Sequence, residues 1–109
     1  MTMKKSAQVE RIEKMEKLMD ESAAAIKQME KSLNSFRRAQ KKIDELADYY
    51  FSKQWRKDFE DDEKGKFSQE LKRGVLSEDG IYNLLSDNDD LLKKMDRFIQ
   101  KEYAEIKIK

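Results

Sequence analysis

The first 50 residues carry one apolar stripe that repeats in alternating steps of three and four, and neither proline nor glycine interrupts it. An α-helix turns once every 3.6 residues, so these steps keep the stripe on one face of a single helix. We therefore predict a long N-terminal helix over residues 6–50. The stripe consists of Ile12, Met15, Met19, Ser22, Ile26, Met29, Leu33, Phe36, Gln40, Ile43, Ala47 and Tyr50.

This helix needs a partner for its apolar stripe. At 1.5 Å per residue it would be about 67 Å long, whereas a compact domain of this size has a radius of gyration near ~13 Å. A flanking column widens the stripe, as expected of a helix with more than one neighbour. We predict a protein–protein interaction or oligomerisation module, a homodimer that could act as a regulatory adaptor. Candidate contact residues are Met15, Met19 and Met29, whose flexible side chains suit an adaptable surface, and the flanking column is Leu18, Ala25, Ala39 and Leu46.

The rest of the chain predicts further helices. A face of apolar residues recurs from Ile81 to Ile99 at helical spacing, while the central region has only short periodic pieces. The predicted fold is all-α: a long heptad-patterned N-terminal helix packed antiparallel with a C-terminal helix, the two joined by two short helices in a hairpin or bundle. We expect a single domain over residues 1–109, with 1–5 disordered, a long helix at 6–50, a connector at 51–77 and a C-terminal helical segment at 78–107.

Capping residues place the ends of the shorter helices. Ser52 can cap the first short helix, which should stop near Gly65, and a second should run from Gln69 to Arg73 and stop at Gly74. Ser77 can cap the last helix. The segment 86–89 is rich in capping residues, so the sequence leaves open whether the C-terminal helix breaks there.

The composition argues against an enzyme. The chain has no cysteine and no histidine, which removes thiolate chemistry, the usual general base near neutral pH and the usual transition-metal ligands. Its formal charge of +1 gives no net field for nucleic acid or a membrane. No apolar run has the length of a signal peptide or a membrane span. We expect a cytoplasmic protein without cofactor, metal or membrane partner.

Two motifs in the second half of the chain suggest a family. They are YYFSKQWRKDFE at residues 49–60 and LKRGVLSEDGIY at residues 71–82. With the heptad-patterned first helix before them, they resemble the small bacterial proteins catalogued as domain of unknown function 4298, over nearly the whole chain. The resemblance implies a compact, mainly Firmicute, cytosolic helical protein with no established activity, and it supplies no catalytic residues.

The same motifs contain the most distinctive polar and aromatic residues. Trp55 and Phe59 should anchor the short helix to the long one, and Arg56 and Arg73 should pair with carboxylates that fix the connecting loop. The alternative is a small-ligand binder or enzyme in the Trp55, Arg56 and Arg73 region, with a small-anion pocket formed by Arg56, Lys72 and Arg73. The candidate interaction residues here are Trp55, Arg56, Asp58, Arg73 and Asp79.

Charge clusters suggest one further alternative. Arg37, Arg38, Lys41 and Lys42 form a basic strip that a nucleic-acid-associated regulator could use, with Phe36 and Tyr49 nearby as possible stacking residues. A solvated helix face explains the strip more simply. The acidic runs at 60–63 and 87–90 lack the spacing of a calcium loop, so we predict no metal site in either.

Overall fold

The computed structural model describes residues 4–107, and these are helical apart from short connections. The three α-helices are α1 (Ala7–Tyr50), α2 (Lys53–Glu63) and α3 (Gly80–Glu105), with a 3₁₀ turn at Gly74–Leu76 before α3. No strand occurs among the described residues. The all-α class is confirmed. The chain divides into two units at Lys41, within α1.

The ends of α2 follow local signals. Ser52 is its N-cap, and the Ser52 hydroxyl accepts a hydrogen bond from the Trp55 backbone N–H at 3.2 Å. Beyond the other end, Gly65 has a φ of 75°, which an L-residue rarely adopts. The Gly65 and Lys66 N–H groups donate to the Asp62 and Asp61 carbonyls, the paired bonds of a Schellman motif. Both predicted ends of this helix are confirmed.

The prediction of a helix from Gln69 to Arg73 is wrong. Those residues form turns and bends, and the second short helix is instead the 3₁₀ turn that Gly74 begins. The Ser68 hydroxyl accepts a hydrogen bond from the Glu70 N–H at 3.2 Å, and the Ser68 carbonyl accepts one from Leu71 at 3.1 Å. Such local bonds to serine give the backbone an alternative to helix.

The start of α3 depends on a close approach of two backbone segments. The Ser77 hydroxyl donates to the Gly74 carbonyl at 2.8 Å and accepts from the Gly80 N–H at 2.9 Å. A Cβ at Gly80 would lie 2.3 Å from the Gly74 carbonyl oxygen, so a larger residue would force these segments apart. α3 then continues unbroken through residues 86–89.

The core lies where the 3₁₀ turn meets α3. Leu76 and Ile81 are the buried apolar residues of the described chain, 7% and 2% exposed. Beside them lies an open, largely apolar cavity of about 430 Å³, to which α1 contributes Leu46 and α3 contributes Ile81 and Leu84. The long N-terminal helix and the C-terminal helix thus meet at this end, as the predicted hairpin requires.

Candidate functional site

The first part of α1 presents an apolar surface to solvent. Every described residue from Lys4 to Ser35 is exposed, and half-buried residues begin at Phe36. Monomeric soluble proteins rarely expose a continuous apolar patch of this extent unless it binds something. We call this surface the exposed α1 face. Its large apolar side chains, each 40–62% exposed, are Val9, Ile12, Met15, Leu18, Met19, Ile26, Met29 and Leu33.

The three methionines singled out from the sequence all belong to the exposed α1 face. Met15, Met19 and Met29 are 51%, 60% and 54% exposed. An unbranched thioether side chain adapts to the shape of a partner at little cost. Their position makes them available for contact, and their role as contact residues stays a prediction.

Trp55 holds α2 to the end of α1 and to the 3₁₀ turn. Its indole Nε1–H donates to the Val75 carbonyl at 2.8 Å. Its ring stacks on Phe59 with centroids 5.2 Å apart, and it makes an edge contact of 5.0 Å with Tyr50. Such ring pairs add to the free energy gained by apolar burial. The expected anchoring of the short helix to the long one is confirmed for Trp55, whereas the ring contact of Phe59 is with Trp55 in the same helix.

Asp58 forms a hydrogen bond with the C-terminal end of α1. The Tyr49 hydroxyl donates to Asp58 Oδ2 at 2.6 Å, and both residues are half-buried. Burial of the Tyr49 phenol and its hydrogen bond to the Asp58 carboxylate raise the pKa of Tyr49 to about 12. The phenol therefore stays protonated and continues to donate this bond well above the usual pKa of tyrosine.

This pair predicts a specific loss of stability at high pH. In the unfolded chain Tyr49 loses its proton near pH ~10, whereas in the folded chain it keeps the proton to about 12. Between these values the folded state binds more protons than the unfolded state. The contribution of the protonated Tyr49 to the free energy of unfolding is therefore complete below pH ~10 and disappears as the pH rises toward 12. The urea midpoint of wild type should therefore fall relative to that of Tyr49→Phe over this window.

Tyr82→Phe, which changes a 59% exposed tyrosine, is the control and should track wild type. A constant wild-type to Tyr49→Phe difference from pH 9 to 12 would contradict the assignment.

Arg73 fixes the loop that connects α2 to the 3₁₀ turn. Its Nη1 lies 3.1 Å from Asp62 Oδ1 on α2. The same guanidinium donates to the Ser68 and Leu71 carbonyls. The planar fork of arginine suits several acceptors at once. The predicted ion pair of Arg73 with a loop-fixing carboxylate is confirmed.

The remaining candidates of the central region do not join Arg73 in one pocket. Arg56 is exposed, and the ion pairs among the described residues do not include it, so the expected Arg56 ion pair does not form there. Lys72 lines the apolar cavity, whereas Arg56 and Arg73 do not. Asp79 is the N-cap residue of α3 and its carbonyl accepts from the Asn83 N–H. The three cations proposed for an anion pocket therefore do not line one common pocket.

The basic strip is exposed to solvent, and the acidic run at 60–63 forms an ion pair within the chain. The basic strip residues Arg37, Arg38, Lys41 and Lys42 are exposed, and Arg38 donates to the Ser35 hydroxyl at 3.3 Å. In the acidic run, Lys66 lies 3.1 Å from Asp61, and its hydrogen bond is the main cause that lowers the pKa of that carboxyl. No group of three metal-ligating side chains occurs among the described residues. In that part of the chain, no helix combines the length and apolarity that a membrane crossing needs.

Sequence analysis missed two partners and the cavity. Asp62 was one of four consecutive acids, and only the folded loop shows that it meets Arg73. The sequence offers Tyr49 as a stacking residue near the basic strip, but its hydroxyl bonds to Asp58. The two residues are nine apart, on opposite sides of a helix end and a cap, so no helical spacing indicates the contact. The cavity joins Leu46 to Ile81 across 35 residues of sequence, and no local pattern could indicate that contact.

A family model described as "Domain of unknown function (DUF4298)" matches residues 12–98, in agreement with the resemblance in the two motifs. No curated protein and no solved structure matches the chain.

Proposed function

The chain belongs to the family described as domain of unknown function DUF4298, and from its geometry we propose that it is a non-enzymatic protein-interaction module. Its working surface is the exposed α1 face, which associates with helices of other protein chains. The observation that carries the proposal is the exposure of eight large apolar side chains on one helix face between Val9 and Leu33.

The contacts within the central region support the proposal. Trp55, Asp58 and Arg73 each have partners within the chain. Because these contacts join α2, the end of α1 and the connecting loop, they account for the distinctive motifs as structural elements. A small-ligand site there would need some of these groups to be directed toward a ligand.

A matched pair of substitutions tests the working surface. Ile26→Asp places a charge on the exposed α1 face, whereas Gln28→Asp makes the same one-unit charge change two residues later on the outer face of the helix. Each tagged variant is co-expressed with an untagged copy of the chain in the native host, and the proteins recovered with the tag are compared. Ile26→Asp should lower recovery at least ~10-fold, because an unpaired charge buried in an apolar interface is costly. Gln28→Asp should behave as wild type.

Two results would refute the proposal. One is that the wild-type chain recovers neither a second copy nor any other protein. The other is that Ile26→Asp retains every protein that wild type recovers. Circular dichroism of both variants checks that α1 remains helical, so that a loss of recovery reports on the surface.

A further inference from the structure

We propose that the partner of the exposed α1 face is a second copy of this chain, docked antiparallel, with the two-fold axis passing between Asp20 and Glu21. This inference rests on the proposed function and adds the identity and direction of the partner. In this arrangement residues 8–33 of the two copies overlap. Layers then form between Ile12 and the partner's Met29, and between Met15 and the partner's Ile26.

Side-chain size sets the direction of the two copies. The centre of the exposed α1 face places large Leu18 and Met19 just before small Ser22 and Ala25. About the proposed axis, Leu18 lies against the partner's Ala25 and Met19 against the partner's Ser22. Large residues facing small ones let two helices interdigitate without voids. A parallel pair in register would instead set Met19 against Met19 and Ser22 against Ser22.

Exposure and charge then select the register. Sliding the partner by one heptad places Glu16 beside the partner's Glu30 at both ends, and like charges there repel. Sliding it by two heptads moves the overlap onto residues 36–43, where Phe36, Gln40 and Ile43 are already half-buried. The proposed register keeps the overlap on fully exposed positions. It also sets Glu16 against the partner's Ala23.

The area available suits a stable dimer. Eight large apolar side chains are each 40–62% exposed, and covering them would bury on the order of 700 Å² per copy, close to the ~800 Å² per partner of specific interfaces. The overlap of residues 8–33 is about 39 Å long.

Distances between spin labels test the direction and the register together. The chain has no cysteine, so Glu21→Cys and Ser35→Cys each introduce one labelling site. Both positions are exposed and lie on the same edge of the helix, two heptads apart. In the proposed dimer the two labels at position 21 lie at nearly the same height along the helix axis. The two labels at position 35 are displaced from each other along that axis by about 44 Å, at 1.5 Å per residue. Sedimentation at micromolar concentration should give twice the mass of one chain.

Other outcomes overturn the inference in distinguishable ways. Equal label distances at the two sites would show a parallel pair, and a displacement of about 33 Å or about 22 Å at position 35 would show the registers shifted by one or two heptads. A monomeric wild-type chain that still recovers another protein through Ile26 would overturn the second-copy partner and leave the proposed function standing. A monomer that recovers nothing would overturn both.

Discussion

Replacing Ile81 with alanine is expected to lower the free energy of unfolding of residues 42–109 by about 3 kcal/mol. Ile81 is 2% exposed and, with Leu76, is one of the two buried apolar residues of the described chain. It also lines the cavity beside Leu46 and Leu84. Removing its outer carbons would enlarge an existing void, and the lost contacts have few substitutes in so small a core.

The single tryptophan makes this loss measurable in the right part of the chain. Trp55 bonds to Val75, next to the 3₁₀ turn's Leu76, so its fluorescence in a urea titration reports on this core. Tyr82→Ala is the control, because Tyr82 follows Ile81 in α3 but is 59% exposed. The control should lose less than ~1 kcal/mol. A loss that small in Ile81→Ala as well would show that Ile81 does not hold the core.

Local patterns were sufficient to predict much of this fold. The apolar period gave α1 almost to the residue, since residues 6–50 were expected and Ala7–Tyr50 are helical. Ser52 and Gly65 set the ends of α2 through bonds within a few residues of themselves. Interactions of this kind depend on nearby sequence alone.

The errors arose where a contact within a turn or with a distant segment decides the structure. Ser68 forms a turn in place of the expected helix at 69–73, and Arg73 bonds back to this loop and to Asp62. At 86–89 the capping residues left a break open, yet α3 is continuous there. Polar residues such as Ser86 compete weakly with helix once the turns on both sides are helical.

Burial was the property of the candidate surface that sequence could not supply. An apolar stripe repeats in the same way whether another helix covers it or solvent does. The structure shows that residues from Lys4 to Ser35 are exposed and that half-burial starts at Phe36. That boundary separates the fully exposed part of the stripe from the half-buried part, and it is the basis for the register proposed above.

Replacing Trp55 with alanine should separate the two roles considered for that residue. The change removes the stack on Phe59, the edge contact with Tyr50 and the 2.8 Å hydrogen bond to the Val75 carbonyl. We expect a loss of about 3–4 kcal/mol in unfolding free energy, as for other truncated aromatic anchors. Far-UV circular dichroism during urea unfolding measures the loss. Trp55→Phe keeps a ring and removes the indole N–H, so it should lose about 1 kcal/mol, the usual net value of one hydrogen bond.

The same two variants test whether Trp55 also belongs to the interaction surface. The exposed α1 face lies between Val9 and Leu33, and Trp55 contacts residues of 42–109. Under conditions where Trp55→Ala remains folded, its self-association should therefore match wild type in sedimentation, while Ile26→Asp should weaken association without a comparable loss of stability. If Trp55→Ala and Trp55→Phe both stay folded and both dissociate, Trp55 is a contact residue, and the interface extends beyond the exposed α1 face.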